Sequence, residues 1–246
     1  MSKTDLRRQV WNLMTEKGVS RFPGAVGRIP NFAGAERAAR LLATLPVWQR
    51  ARTCKCNPDA SQWPVRQVAL EEGKVVYMAV PRLRAERCFL ELDPKGIRGS
   101  LRQASSIQGA ARVGRPLRVA EVAPLDLIVC GSVAVNRAGA RVGKGGGYSD
   151  IEFALLTARG KISAETPIVT TVHPLQMVGE EIEMFLHDIP VDLIVTPEEV
   201  VETRTTIPRP FGISWDLLPT EKSAAVPVLD RLRRERSLGI LEGGGS

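Results

Sequence analysis

Two patterns of apolar residues alternate along this chain: a helical period in some stretches and short uninterrupted runs in others. Leu6, Val10, Leu13 and Met14 fall on one helical stripe, with Asp5 near its start and Gly18 after it, which predicts a helix over residues 3–17. A turn-rich connector follows at 21–31, carrying Pro23, Gly24, Gly27 and Pro30. Ala35, Ala38, Ala39, Leu42 and Leu45 then mark a second helix over 33–45. Residues 65–72 read as a helix ended by Gly73, 96–114 as one with loose ends, and 174–185 as a further one. Strands are expected at 50–57, 74–80, 88–92, 125–130, 167–172 and 191–195. Such alternation predicts an α/β fold with a largely parallel sheet.

The stretch from 125 to 156 carries the strongest candidate chemistry. Its apolar run is bracketed by Pro124 and Gly131, and a short alternating run at 133–136 leads into a turn at 137–139. Arg141-Val142-Gly143-Lys144-Gly145-Gly146-Gly147-Tyr148 then places four glycines within five residues, with two cations among them. Ile151, Phe153, Ala154, Leu155 and Ala158 resume at helical spacing, so a helix is expected from Tyr148 or Ser149. A glycine-rich turn feeding a helix start offers free backbone N–H groups and the positive end of the helix dipole to a phosphate. Asp150, just beyond, suits a magnesium ion held against phosphate oxygens. The run is neither a Walker A sequence nor a dinucleotide fingerprint, and composition and spacing leave the phosphate cradle level with a solvated glycine loop.

The 246 residues suffice for one large domain or two small ones, and a hydrophobic content of 43% with 25% charged residues is ordinary for a globular protein. No apolar stretch is long enough to span a bilayer, and MSKTDLRRQV is not followed by an apolar region, so a cytoplasmic protein is expected. Cys54, Cys56, Cys88 and Cys130 lack zinc-finger spacing and are expected to be buried thiols. The net charge of +7 raises RNA as a partner, but aromatic residues are only 5% and do not interleave with the arginines, which keeps RNA secondary to a polyanionic small molecule.

DLIVCGSVAVNRAGARVGKGGGYSD resembles the signature of the 5-formyltetrahydrofolate cyclo-ligases, with Asp126, Ala134, Gly139, Arg141, Gly143, Gly145, Gly147, Tyr148 and Asp150 on matching positions. K-T-D-L-R near the start is similar to that family's K-x-x-L-R, and HDIPVDLIVTP at 187–197 resembles its D-x-x-V-D-x-V-x-T segment. Two further stretches, RFPGAVGRIPNFAGAERAARLLATLPVW and KCNPDASQWPVRQVAL, resemble the divergent methenyltetrahydrofolate synthetase domain-containing branch. The resemblance implies a Rossmann-like three-layer domain over 1–217, leaving 218–240 as a peripheral basic tail and 241–246, LEGGGS included, as a cloning scar and linker.

It further implies an ATP-dependent ligase closing 5-formyltetrahydrofolate to 5,10-methenyltetrahydrofolate, with ATP and Mg²⁺ as cofactors and a reduced folate as substrate. Arg141 and Lys144 would then be catalytic. Lys3, Arg7, Gly143, Gly145, Gly146, Gly147 and Tyr148 would hold the nucleotide, Asp150 and Asp188 the metal, and Asp59 the pterin. On charge pattern alone Lys3 and Arg7 are a solvated helix face, and Asp188 is an ordinary loop carboxylate. Departures gather on the folate side: Leu83 and Ser149 stand where the family has tyrosines, and Asp59 where it has the longer glutamate. The alternative is a divergent ATP- and magnesium-binding member acting on another, thiamin-related substrate, or a scaffold without turnover.

Overall fold

The computed structural model describes residues 1–237; the 241–246 stretch and residues 238–240 of the basic segment lie outside them. The Ser2 hydroxyl accepts the Asp5 amide at 3.1 Å and caps α1 (Lys3–Glu16), which buries Leu6, Val10 and Met14. β1 (Ser20–Arg21) and β2 (Asn31–Phe32) pair antiparallel across the connector. α2 (Ala35–Ala43) turns Ala35, Ala38, Ala39 and Leu42 inward. Gly34 precedes it at φ +93°, where a Cβ would stand 2.7 Å from Pro197. Pro46 starts a separate turn, α3 (Pro46–Arg50), that seats Trp48 in the interior, its Nε1 donating to Glu72 at 2.7 Å.

The chain then runs through β3 (Thr53–Cys56), α4 (Trp63–Glu71), β4 (Val75–Ala79), β5 (Phe89–Leu92), α5 (Leu101–Ala104), α6 (Ile107–Val113), β6 (Arg115–Leu117) and β7 (Leu127–Cys130). A small hairpin, β8 (Ala134–Val135) and β9 (Arg141–Val142), leads to α7 (Tyr148–Ala158). β10 (Ile168–Thr171), β11 (Leu193–Val195), β12 (Val200–Glu202), α8 (Thr220–Ala225) and α9 (Pro227–Ser237) complete the described elements. None of these helices is long and apolar enough to cross a membrane.

Eight strands form one sheet in the order β12-β11-β10-β7-β3-β4-β5-β6. The five in the middle, from β11 to β4, are parallel, and antiparallel neighbours close both edges. Strands this deep in a parallel sheet have both faces covered, which is why β7 reads as an unbroken apolar run. Leu127 and Val129 enter one core cluster, beside the buried faces of α1 to α4, whereas Ile128 and Cys130 enter the other, beside α7 and α9. All four cysteines are free and buried.

Three expectations are corrected. The helix at 96–114 is two short ones, because Ser106 starts a new N-cap by accepting the Gly109 amide at 3.0 Å, and the chain folds back so closely that a Cβ on Gly109 would lie 1.8 Å from the Gln103 carbonyl oxygen. The stretch 174–185 holds a single 3₁₀ turn, Pro174–Gln176, instead of a helix. Its backbone is drawn to β8 instead: the Val178 amide donates to the Val135 carbonyl at 2.8 Å, and Met177 bridges Val135 in parallel. The basic tail is not peripheral over its described part, since Val226, Val228, Leu229 and Leu232 are buried in the second core cluster. Helical spacing places Val228, Leu229 and Leu232 on one side of α9, with Arg233, Arg234 and Arg236 exposed on the other.

Leu127 is fully buried at the centre of the sheet. Leu127→Ala is expected to lower stability by about 2–5 kcal/mol, measured by urea denaturation; a loss below about 1 kcal/mol would mean that this strand is not the centre of the core.

Candidate functional site

The loop between β9 and α7 lies at the C-terminal ends of β3 and β7, and the contacts of its side chains locate it there. Arg141 is buried and donates from Nη1 to the Gly131 carbonyl at the end of β7 (3.0 Å), from Nε to the Ile189 carbonyl (3.3 Å) and from Nη2 to Asp150 Oδ1 in the first turn of α7 (2.9 Å). Lys144 Nζ donates to Asp59 Oδ1 beyond β3 at 2.8 Å. Asn57, also just past β3, donates from Nδ2 to Ser149 Oγ at 3.1 Å. The crevice beyond the carboxyl ends of parallel strands is where open α/β sheets take ligands.

Gly145 and Gly147 hold left-handed conformations, φ +96° and +64°, and the curl they allow brings side chains against the loop's carbonyls. Arg7 Nε donates to the Gly143 carbonyl at 2.6 Å, and Lys222 Nζ donates to the Gly146 carbonyl while its ammonium sits 5.2 Å from the Tyr148 ring centroid. The amides are left over. No N–H from Gly143 to Asp150 finds an acceptor among the described residues. Carbonyls engaged by cations and amides without partners, at the start of an eleven-residue helix, are the features that suit a loop to an anion.

Opposite charges hold the surrounding cations in place. Lys3 pairs with Asp188 and lies 4.5 Å above the Phe185 ring. Arg141 pairs with Asp150 and Lys144 with Asp59. Burial pulls the pKa of Arg7 down, with Asp188 opposing. Burial acts the same way on Arg141, but Cys130, Asp150, Asp188 and Asp59 together outweigh it and raise its pKa, so the fork stays charged. Asp150 contacts this guanidinium directly, and Asp188 is the residue just before Ile189, whose carbonyl accepts from its Nε. Among the described residues no cluster of three or more histidine, cysteine, aspartate or glutamate side chains stands ready as a closed metal cage. Two carboxylates beside a loop suited to an anion nevertheless fit Mg²⁺, which takes one or two protein oxygens and completes its shell with phosphate and water.

Every candidate from the sequence is therefore brought together: Lys3 and Arg7 from α1, Asp59 from the end of β3, Arg141, Lys144 and the glycines from the loop, Tyr148 and Asp150 from α7, and Asp188 from the segment before β11. Other participants are not among the candidate site residues. Lys222 comes from a stretch that composition presents only as basic. Arg66, buried on α4, donates to the carbonyls of Asn57 (2.5 Å) and Asp59 (3.1 Å), and desolvation brings its pKa to about 10. Lys55 points from β3 to the α7 face, 2.5 Å from Glu152 Oε2 and 2.7 Å from Asn57 Oδ1, with both charges buried. A lysine alternating with Cys54 and Cys56 within a core strand is the signal that exposes the Lys55–Glu152 pair.

The sequence pattern of the 5-formyltetrahydrofolate cyclo-ligase family matches residues 1–197. The chain belongs to this family. Methenyltetrahydrofolate synthase domain-containing protein of Bos taurus is 39% identical over 238 residues, covering 96% of this chain and 63% of that protein. Its Mus musculus counterpart is 39% identical over 243 residues, covering 97% and 65%. The chain thus spans just under two thirds of the length of these curated relatives. The NMR structure of Aquifex aeolicus 5,10-methenyltetrahydrofolate synthetase superposes with a TM-score of 0.53 at 19% identity, over 88% of this chain and 100% of that one, a likeness of fold alone. Lys222 lies outside the span that matches the cyclo-ligase family.

Lys55→Met leaves Glu152 buried without its cation and is expected to cost about 3–5 kcal/mol. Replacing both partners, Lys55→Met with Glu152→Leu, is expected to recover most of that loss in denaturant titrations. A double variant no more stable than the single one would mean that the lysine acts through Asn57 instead of through the charge pair.

Proposed function

We propose that this domain binds ATP with Mg²⁺ at the 143–147 loop and uses it to cyclise 5-formyltetrahydrofolate to 5,10-methenyltetrahydrofolate. The observation that carries the reading is the run of unpartnered amides from Gly143 to Asp150, ringed by Lys3, Arg7, Arg141, Lys144 and Lys222. Membership of the cyclo-ligase family supports the same chemistry.

The γ-phosphoryl group passes from ATP to the formyl oxygen, releasing ADP. The N10 lone pair then attacks the formyl carbon, the C–O bond breaks, inorganic phosphate departs and N10 loses its proton as the methenyl bridge closes. Little covalent work falls to the protein in such a transfer; positioning and charge neutralisation dominate. The loop amides and Arg7 would hold the phosphates, and Lys144 would follow the migrating charge; its ion pair with Asp59, the residue that the family resemblance assigns to the pterin, supports that role. Asp150 and Asp188 would hold Mg²⁺, which neutralises phosphate charge when bound. Arg141, locked by three hydrogen bonds, fixes the loop and Asp150 relative to the sheet.

The folate side is where this chain differs. Leu83 is fully buried and offers no face to a pterin, and Ser149 is engaged by Asn57. Asp59 keeps an acidic contact, held by Arg66 through its own carbonyl. Aromatic stacking is worth about 0.5–1.5 kcal/mol per ring beyond burial, so two missing rings weaken a pterin's hold by about tenfold or more.

Incubation with ATP, Mg²⁺ and 5-formyltetrahydrofolate is expected to give methenyltetrahydrofolate absorbance and one ADP per turnover, with a raised KM for the folate. Lys144→Ala is expected to lower kcat by about 100-fold. No product at enzyme concentrations comparable to substrate would refute the reading. Separately, ATP with Mg²⁺ at 100 times its Kd is expected to stabilise the fold by about 2.7 kcal/mol, seen as a rise in Tm; Arg7→Ala should reduce that rise, and an undiminished rise would locate the nucleotide elsewhere.

A further inference from the structure

Five cations face the glycine loop, and they fall into two groups. Lys3, Arg141 and Lys144 each have a carboxylate partner in Asp188, Asp150 and Asp59. Arg7 and Lys222 do not: among the described residues no carboxylate lies within ion-pair distance of either, and each is held by one loop carbonyl, Gly143 for Arg7 and Gly146 for Lys222. The two reach the loop from opposite directions in sequence, one from α1 and one from α8.

The glycines make room for both. A Cβ on Gly145 would stand 3.5 Å from the Arg7 Cζ, and one on Gly147 would stand 3.0 Å from the Lys222 Nζ. The second approach is too tight for a side chain to be added without displacing the ammonium. The anchoring of α8 is also firm. Ser223, next to Lys222, is buried, and α9 follows directly with Val228 and Leu229 in the core. Between this segment and the start of α7 lies a cavity of about 110 Å³, bordered by Gly147, Asp150 and Ile151 on the loop side and by Ile213, Leu218 and Lys222 on the other. The lysine therefore stands at the edge of an open space adjoining the unpartnered amides.

We propose that Lys222 is a nucleotide-binding residue contributed by the segment beyond the family-matching span, and that its ammonium contacts a phosphate oxygen of the bound nucleotide. This rests on the reading of the loop as an ATP site. A carbonyl oxygen and the face of Tyr148 supply only partial negative charge to a full positive one, whereas a phosphate oxygen supplies a formal charge at the same reach. The ammonium exchanges the Gly146 carbonyl for the phosphate, or keeps it and adds the phosphate as a second acceptor, since lysine has three donors. The loop is then gripped from both sides, by Arg7 and by Lys222.

Calorimetric titration of the whole chain with ATP and Mg²⁺, and separately with inorganic tripolyphosphate, tests this. Lys222→Ala and Lys222→Gln, the latter keeping the aliphatic stem over Tyr148, are expected to weaken both ligands by about tenfold, with unchanged circular dichroism. Lys222→Arg is expected to restore most of the affinity, and in steady-state assays the loss should appear as a raised KM for ATP with kcat little changed. If the unaltered chain binds ATP and the alanine and glutamine variants bind it equally well, Lys222 is a structural prop and the proposal falls. If the unaltered chain binds neither ligand, the reading of the loop falls first and this proposal with it, so the two failures are told apart by the unaltered protein. A weakening that Lys222→Arg does not repair, with a lowered Tm in all three variants, would also overturn it, because loss of packing would then account for the effect.

Discussion

A guanidinium taken out of water is tolerable only if its donors are met, and Arg141 meets its own with groups from three segments: the end of β7, the residue before Pro190, and the first turn of α7. That requirement ties the loop to the sheet. If Arg141 moved, it would release Asp150 and the Gly131 carbonyl together, and the backbone between them would lose its fixed points. The glycine loop is flexible by composition and rigid by circumstance, because its two ends are fastened by one buried charge and its carbonyls by two others. Preorganised donors are what a site needs if it is to stabilise developing charge without first rearranging.

The same economy appears below the loop. Lys55 faces Glu152 across the sheet–helix interface, Asn57 links Lys55 to Ser149, and Arg66 fixes the backbone at Asn57 and Asp59. These groups touch no motif residue except through hydrogen bonds, yet they determine where Asp59 and the first turn of α7 stand. A site built on strand ends and a helix start inherits the stiffness of the sheet, which explains how Asp59 and Lys144, 85 residues apart, can meet at 2.8 Å.

Much of this is visible in the sequence. The stripe Leu6, Val10, Met14 and the unbroken run at Leu127 to Cys130 carry their structural meaning in their spacing, because burial on one face or on both leaves different periods. The loop's glycines and cations are likewise contiguous, so a local reading finds them. The stretch 174–185 misleads for a physical reason: the free edge of β8 competes for its backbone and wins at Met177 and Val178. Lys222 is illegible for another. A lysine in a charged stretch looks like any solvated lysine until tertiary packing of Val226, Val228 and Leu229 decides which way α8 faces.

The loop is held by partners far from it along the chain. Arg7 lies 136 residues before Gly143, and Lys222 lies 76 residues after Gly146. During synthesis, β9 and α7 leave the ribosome with the α1 contact available and the α8 contact still to come. The nascent site therefore passes through a stage with only one of its two carbonyl clasps. Closure of such long loops costs entropy that only the finished core can offset, so the loop should acquire its final shape among the last events of folding. A nucleotide that prefers the finished loop would then act on the folding chain as well as on the folded one, drawing the late step forward by binding its product.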